Sequence, residues 1–186
     1  MKTLPIFALP LPSALSRQLP TGLALSTALL LAACGTTPPP APPVPTVTPA
    51  QRMAAVEAAA GNDDTELKVQ PLRNPEVDDL REQALAQRGA GDLSAAAATL
   101  DQALQLVSGD PSVLQERAEI ALLQGDWTQS EAFARQALDL GSRTGPLCRR
   151  HWSTIEQARQ ARGETENAVS AHAQLEGCTV PGIKRY

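Results

Sequence analysis

Over its C-terminal half, this 186-residue chain repeats its pattern of apolar and polar positions. The turn signal Gly91-Asp92-Leu93 returns as Gly125-Asp126-Trp127, an offset of 34 residues. At that offset Leu80 matches Leu114, Ala84 matches Ala118, Ala98 matches Ala132, Ala103-Leu104 matches Ala137-Leu138 and Leu106 matches Leu140, with Glu82 and Glu116 on the polar side. The pattern predicts helical hairpins from Pro75 to Glu176. Helix starts are marked at Asn74-Pro75 and Asp110-Pro111, a capping residue before Pro at the first helical position. Gly91 and Gly125 suit the position just past a helix, where positive φ is cheap only for Gly, and Asp92 and Asp126 then cap the following helix. A weaker third copy turns at Gly163-Glu164, at an offset of 38, which places a four-residue insertion in Gly141 to Pro146.

The N-terminal third is patterned differently. Leu19 to Leu31 is almost wholly apolar, and Lys2 and Arg17 are the only charges before Cys34. The run is shorter than the roughly 20 apolar residues a membrane-spanning helix needs. Residues 35–50 read GTTPPPAPPVPTVTPA. So proline-rich a segment excludes a helix interior or a central strand and predicts an extended, semi-rigid spacer of about 3 Å per residue. Gln51 to Ala60 reads as a short helix, and Gly61 to Asn74, with Pro71, as loop.

Leu31-Ala32-Ala33-Cys34 resembles a lipobox, the processing signal of bacterial lipoproteins. The resemblance implies a signal peptide over residues 1–33, cleavage before Cys34 and lipid (palmitate among the chains) on that cysteine. Gly35, where such proteins hold Asp if they stay in the inner membrane, implies the periplasmic face of the outer membrane. A plain secretory signal cut near Ala33 is the alternative. Without Lys2 and Arg17 the remainder holds 14 basic against 20 acidic residues, a net −6. A mildly acidic chain without a basic stripe is a poor nucleic-acid binder, and no nucleic-acid partner is expected. Aromatic residues are 3% and Ala is abundant, which favours small-residue helix packing.

The period of 34, with Gly and Asp at the turn and small residues at the helix crossings, resembles the tetratricopeptide repeat. The crossing positions are Ala84 and Ala118 in the first helices and Ala96, Ser130 and Ala168 in the second. The third copy departs at Glu156, where a small residue is expected. The resemblance covers about Val77 to Glu176. The expected fold is all-α: a short right-handed solenoid of about three hairpins behind a signal peptide and a proline-rich linker. The divisions are 1–33 (signal peptide), 34–50 (lipidated Cys and linker), 51–74 (short helix and loop), 75–178 (repeats) and 179–186 (tail).

With Cys34 assigned to lipid, Cys148 and Cys178 remain, an even number in an oxidising compartment. They fall at neighbouring ends of the third hairpin, which predicts a disulfide that clasps the terminal repeat. Cys148, His151, His172 and Cys178 are also zinc-ligand types, a rival reading that would make the hairpin a metal- or thiol-dependent enzyme site; no cofactor is expected. His172 is expected to be partly buried. The carboxylates Asp78, Asp79, Glu116, Glu119, Glu164 and Glu166 are placed mostly on solvated faces or helix starts. No nucleophile elbow, H-E-x-x-H or phosphate-cradling loop occurs, and the chain is read as a non-enzyme.

The repeat resemblance implies a peptide- or protein-binding groove on the first helix of each unit. Carried over, its positions are Asp78, Arg81, Leu85 and Arg88; Ser112, Gln115, Glu119 and Leu122; and Arg150, Ser153, Gln157 and Gln160. The leading expectation is a membrane-anchored scaffold or adaptor that recruits a periplasmic or outer-membrane protein, with weak self-association open. The alternative is a fixed accessory subunit of an envelope machine, pilotin-like or peptidoglycan-related, docking an acidic partner through Arg149-Arg150 and the Lys184-Arg185-Tyr186 tail.

Overall fold

The computed structural model describes residues 46–61 and 74–179, which form seven helices with no strand among them. They are α1 (Pro49–Ala60), α2 (Pro75–Gly89), α3 (Leu93–Leu106), α4 (Pro111–Gln124), α5 (Trp127–Leu140), α6 (Gly145–Ala161) and α7 (Thr165–Gly177). The leader, Cys34, most of the proline segment, residues 62–73 and the Lys184-Arg185-Tyr186 tail lie outside the described residues. No described helix is long and apolar enough to cross a membrane.

Capping chemistry sets the boundaries. Asn74 accepts from the Glu76 amide (3.0 Å) and Asp110 from the Ser112 amide (2.8 Å), each before a proline at the first helical position. Asp92 and Asp126 accept from the Ala95 and Gln129 amides at 2.9 and 3.0 Å. Gly125 ends α4 in the left-handed region at φ 79°. At the start of α1, Thr48 and Gln51 form a reciprocal capping box around Pro49. The helix therefore begins two residues earlier than the expected Gln51, because Pro49 is tolerated where its missing N–H has no helical partner.

Helices α2–α3, α4–α5 and α6–α7 pair as hairpins, stacked through α3 on α4 and α5 on α6. This all-α arrangement is consistent with a tetratricopeptide-like solenoid. Ala84, Ala96, Ala118, Ser130 and Ala168 are all buried at the crossings, where a larger side chain would force the backbones apart. One apolar cluster joins α2, α3 and α4 around Leu100, Val113 and Ile120. A second joins α4 to α7 around Leu138 and Ile155 and includes both cysteines. Cys148 and Cys178 are disulfide-bonded, with Cα atoms 5.7 Å apart. The Gly145 amide also donates to the Cys178 carbonyl (2.8 Å), which ties the start of α6 to the end of α7.

Helix α1 belongs to no hairpin. It packs on α6 and α4, with Met53 and Val56 in a third cluster with Leu122 and Ala158.

Candidate functional site

The first helices of the three hairpins carry the candidate groove residues, and packing divides them into an open half and a covered half. In the open half, between α2 and α4, lies a cleft of about 420 Å³. Ala84, Leu100 and Ile120 supply its apolar floor, and Asp78, Arg81, Glu82, Arg88, Glu116, Glu119 and Arg150 its charged walls. Leu85 stands at its edge, 66% exposed.

The wall charges are paired across helices. Arg81 grips Glu116 with two donors, at 2.9 and 2.5 Å, and reaches Asp78 at 3.3 Å. This fork geometry is the strong form of an Arg–carboxylate pair. The Glu116 bond outweighs the opposing effect of burial, so the Arg81 guanidinium is held above its usual range. Glu119 is 1% exposed yet faces Arg150 at 2.5 Å and Arg88 at 3.6 Å, and accepts from the Gln115 amide at 2.9 Å. Two guanidiniums converge on this one buried carboxylate, and the second charge is balanced by Glu57 of α1, which meets Arg88 at 2.5 Å.

Behind the wall runs a buried polar chain. Glu119 as a carboxylate only accepts, which turns the Gln115 amide nitrogen toward it and toward the Thr154 hydroxyl (2.8 Å). The Gln115 carbonyl then faces His151 Nδ1 at 2.6 Å. This assigns the proton to Nδ1 and leaves Nε2 bare; no hydrogen-bond partner meets that buried atom. Burial first, and then the nearby Arg150 charge, lowers the His151 pKa to about 4.

The covered half lies under α1. Leu122 is fully buried there, and Gln157 accepts from Arg52 through its backbone carbonyl (3.2 Å) and its side chain (3.4 Å). Arg52 also lies over the Trp127 ring, 5.7 Å from its centre. Arg149 donates to the Ala59 carbonyl (3.1 Å) and the Ala60 carbonyl (2.7 Å) at the end of α1.

Of the twelve candidate groove residues, the structure brings Asp78, Arg81, Leu85, Arg88, Glu119 and Arg150 together at the cleft. Gln115 is buried behind it, Ser153 is buried within α6, and Leu122 and Gln157 are buried at the α1 contact. Ser112 sits in the first turn of α4, its amide taken by the cap, and exposed Gln160 donates to Glu156 at 3.0 Å. Four expectations are corrected. Glu119 is not on a solvated face, because Arg150, Arg88 and Gln115 replace its water. His172 is exposed rather than partly buried, and its bond to Glu156 raises its pKa. The zinc reading fails on its donors, since Cys148 and Cys178 are bonded to each other and supply no thiolate. Arg149 and Arg150, expected to dock an acidic partner, are spent on α1 and Glu119. Sequence reasoning also missed Glu116 as the partner of Arg81 and the α1 face Arg52-Met53…Val56-Glu57; the placement of an Arg, two apolar residues and a Glu one turn apart was its available signal.

No family model and no curated protein matches the chain. Among solved structures it is similar to the globular C-terminal domain of LpoP from P. aeruginosa, with 32% identity and a TM-score of 0.54. The match covers 56% of this chain and 99% of that domain.

Proposed function

We propose a function from a plain premise: the chain belongs to the family of the LpoP C-terminal domain. It acts as a non-catalytic periplasmic accessory protein, held at the outer membrane by lipid on Cys34, whose tetratricopeptide-like module engages a protein of a peptidoglycan-related envelope machine. Among the readings opened by the sequence, the fixed accessory subunit is favoured over the general adaptor. The observation that carries this is the match over nearly the whole of an LpoP domain at 32% identity. The cleft supports it physically. An apolar floor ringed by paired charges, with Leu85 exposed at the edge, is the anatomy of a protein-binding patch. The disulfide suits an oxidising compartment.

The test is in-cell crosslinking of the lipidated chain from positions beside Leu85, with identification of the captured protein by mass spectrometry. The expected partner is a peptidoglycan synthase or hydrolase, captured in stoichiometric amount and lost with Leu85→Asp plus Glu116→Arg. A partner from an unrelated envelope pathway, or crosslinks that survive both substitutions, refutes the reading. Labelled palmitate should enter the wild-type chain and not Cys34→Ser.

A further inference from the structure

Helix α1 is held on α4 and α6 the way a bound helical peptide is held. Its apolar pair, Met53 and Val56, is one turn apart and almost wholly buried against Leu122 and Ala158. Its two ends are read separately. Arg52 reaches Gln157 and stacks over Trp127, while Arg149 takes the carbonyls of Ala59 and Ala60. Glu57 completes the set on Arg88. The Arg149 contacts are to α1 backbone, so any helix that ends there satisfies them. The receiving residues Leu122 and Gln157 lie on the same first-helix faces as the open cleft, and Arg88 belongs to both halves.

Helix α1 depends on this contact for its own helicity. Only Arg52, Met53 and Val56 of the twelve α1 residues are buried, and an isolated helix of this length is marginal in water.

From these contacts we infer that α1 is a built-in occupant of a helix-binding groove, and that the groove's other occupant is a partner helix of the same chemistry. That helix carries an Arg followed directly by one aliphatic or Met residue, a second aliphatic residue one turn later, and a carboxylate directly after it. The inference rests on the protein-interaction reading above only for there being a partner; the groove and its cis occupant stand on the geometry. Such a helix docks antiparallel to α6, as α1 does: residue 52 contacts residue 157, and residues 59 and 60 contact residue 149. Release of α1 frees Arg88 from Glu57, so filling of the covered half and the charge of the open cleft are coupled.

The experiment uses the full chain carrying Cys34→Ser and a fluorescein-labelled peptide of residues 46–61, followed by anisotropy. The variant Met53→Asp/Val56→Asp, which undocks α1, is expected to bind the peptide saturably. Wild type is expected to bind it at least about tenfold more weakly, because its groove is open only in the fraction of molecules with α1 undocked. Adding Leu122→Asp to the variant, or the two Asp substitutions to the peptide, should abolish binding. Should the variant not fold, hydrogen exchange on wild type decides. Amides of α1 should exchange at least about 100-fold faster than those of α4, as for a locally opening unit, and exchange of α1 no faster than α4 overturns the inference. So does a folded variant that binds the peptide no better than wild type. A wild-type dimer by light scattering that is lost in the variant would put α1 of a second copy in the groove and overturn the partner helix. Leu85 crosslinking separates this inference from the proposed function. Crosslinking retained while peptide binding fails sinks the built-in occupant alone, and peptide binding retained while crosslinking fails sinks the accessory role alone.

Discussion

Reduction of Cys148–Cys178 should loosen one end of the stack and little else. The bond joins residues 30 apart in sequence. For a loop of this length the chain-entropy model gives about 3.6 kcal/mol of stabilisation through the unfolded state. Within the native state the bond closes the α6–α7 hairpin where the Gly145 amide meets the Cys178 carbonyl. Repeat units contact only their neighbours, so loss of the constraint should act mainly on the terminal unit. The assay is urea unfolding of the chain with and without a phosphine reductant, with Cys148→Ala/Cys178→Ala as the matched variant. With a urea slope of about 2 kcal/mol/M for a domain of this size, the midpoint should fall by roughly 2 M. Hydrogen exchange should show α7 losing protection while α2 and α3 keep theirs. A loss below about 1 kcal/mol would mean that the reduced chain is already constrained at that end. A uniform loss of protection from α2 to α7 would refute the local clasp.

Four shorter expectations follow. Glu119→Ala strands the buried Gln115 amide and leaves the partly exposed Arg150 without its carboxylate, and should cost about 1–3 kcal/mol in urea unfolding. His151 has a folded pKa of about 4 against 6.5 unfolded, so the unfolded state takes up the proton first; stability is intact above pH 6.5 and should fall by about 3 kcal/mol as pH drops from 6.5 to 4, a slope that His151→Asn should remove. Gly141→Ala would place a Cβ 2.7 Å from the Ala137 carbonyl and 3.3 Å from His151 Nε2; since backbone has little room to give, melting should report a loss of about 1–3 kcal/mol. Leu85→Asp, at an exposed position, should change stability by less than about 0.5 kcal/mol while reducing capture of the partner.

What was legible in the sequence had local causes. The hairpins α2–α3 and α4–α5 could be read because capping residues, turn glycines and small crossing residues each act within a few positions of themselves, and the 34-residue period doubles every signal. The third hairpin was weaker in sequence because Thr144 supplies no side-chain cap and Glu164 makes none; the disulfide and the Gly145–Cys178 bond fix that end instead. The cleft was half legible. Groove positions from the repeat resemblance led to Arg81, Leu85, Arg88, Glu119 and Arg150, but not to the pairing of Arg81 with Glu116, which depends on how far one hairpin slides along the next. His172, expected to be partly buried, is exposed for the same reason. Spacing places a residue on a helix, while burial depends on which neighbour that helix meets. Residues 46–61 are the clearest limit, because nothing local in a twelve-residue helix says which distant surface it covers.

That sliding is where the fold and the site meet. An apolar layer between α4 and α6 would tolerate small shifts, since aliphatic contacts are non-directional. The layer present runs Glu119, Gln115, Thr154 and His151, with each donor matched to one acceptor. Moving α6 by one turn would strand at least one buried polar atom, at a cost of about 1–3 kcal/mol each. The same register sets Arg150 on Glu119 and so fixes that ion pair in the cleft wall. The buried chain adds little net stability, because burial of Glu119 and His151 is itself costly. Its physical effect is to hold one relative position of the two hairpins, and with it one arrangement of charge for a partner to meet.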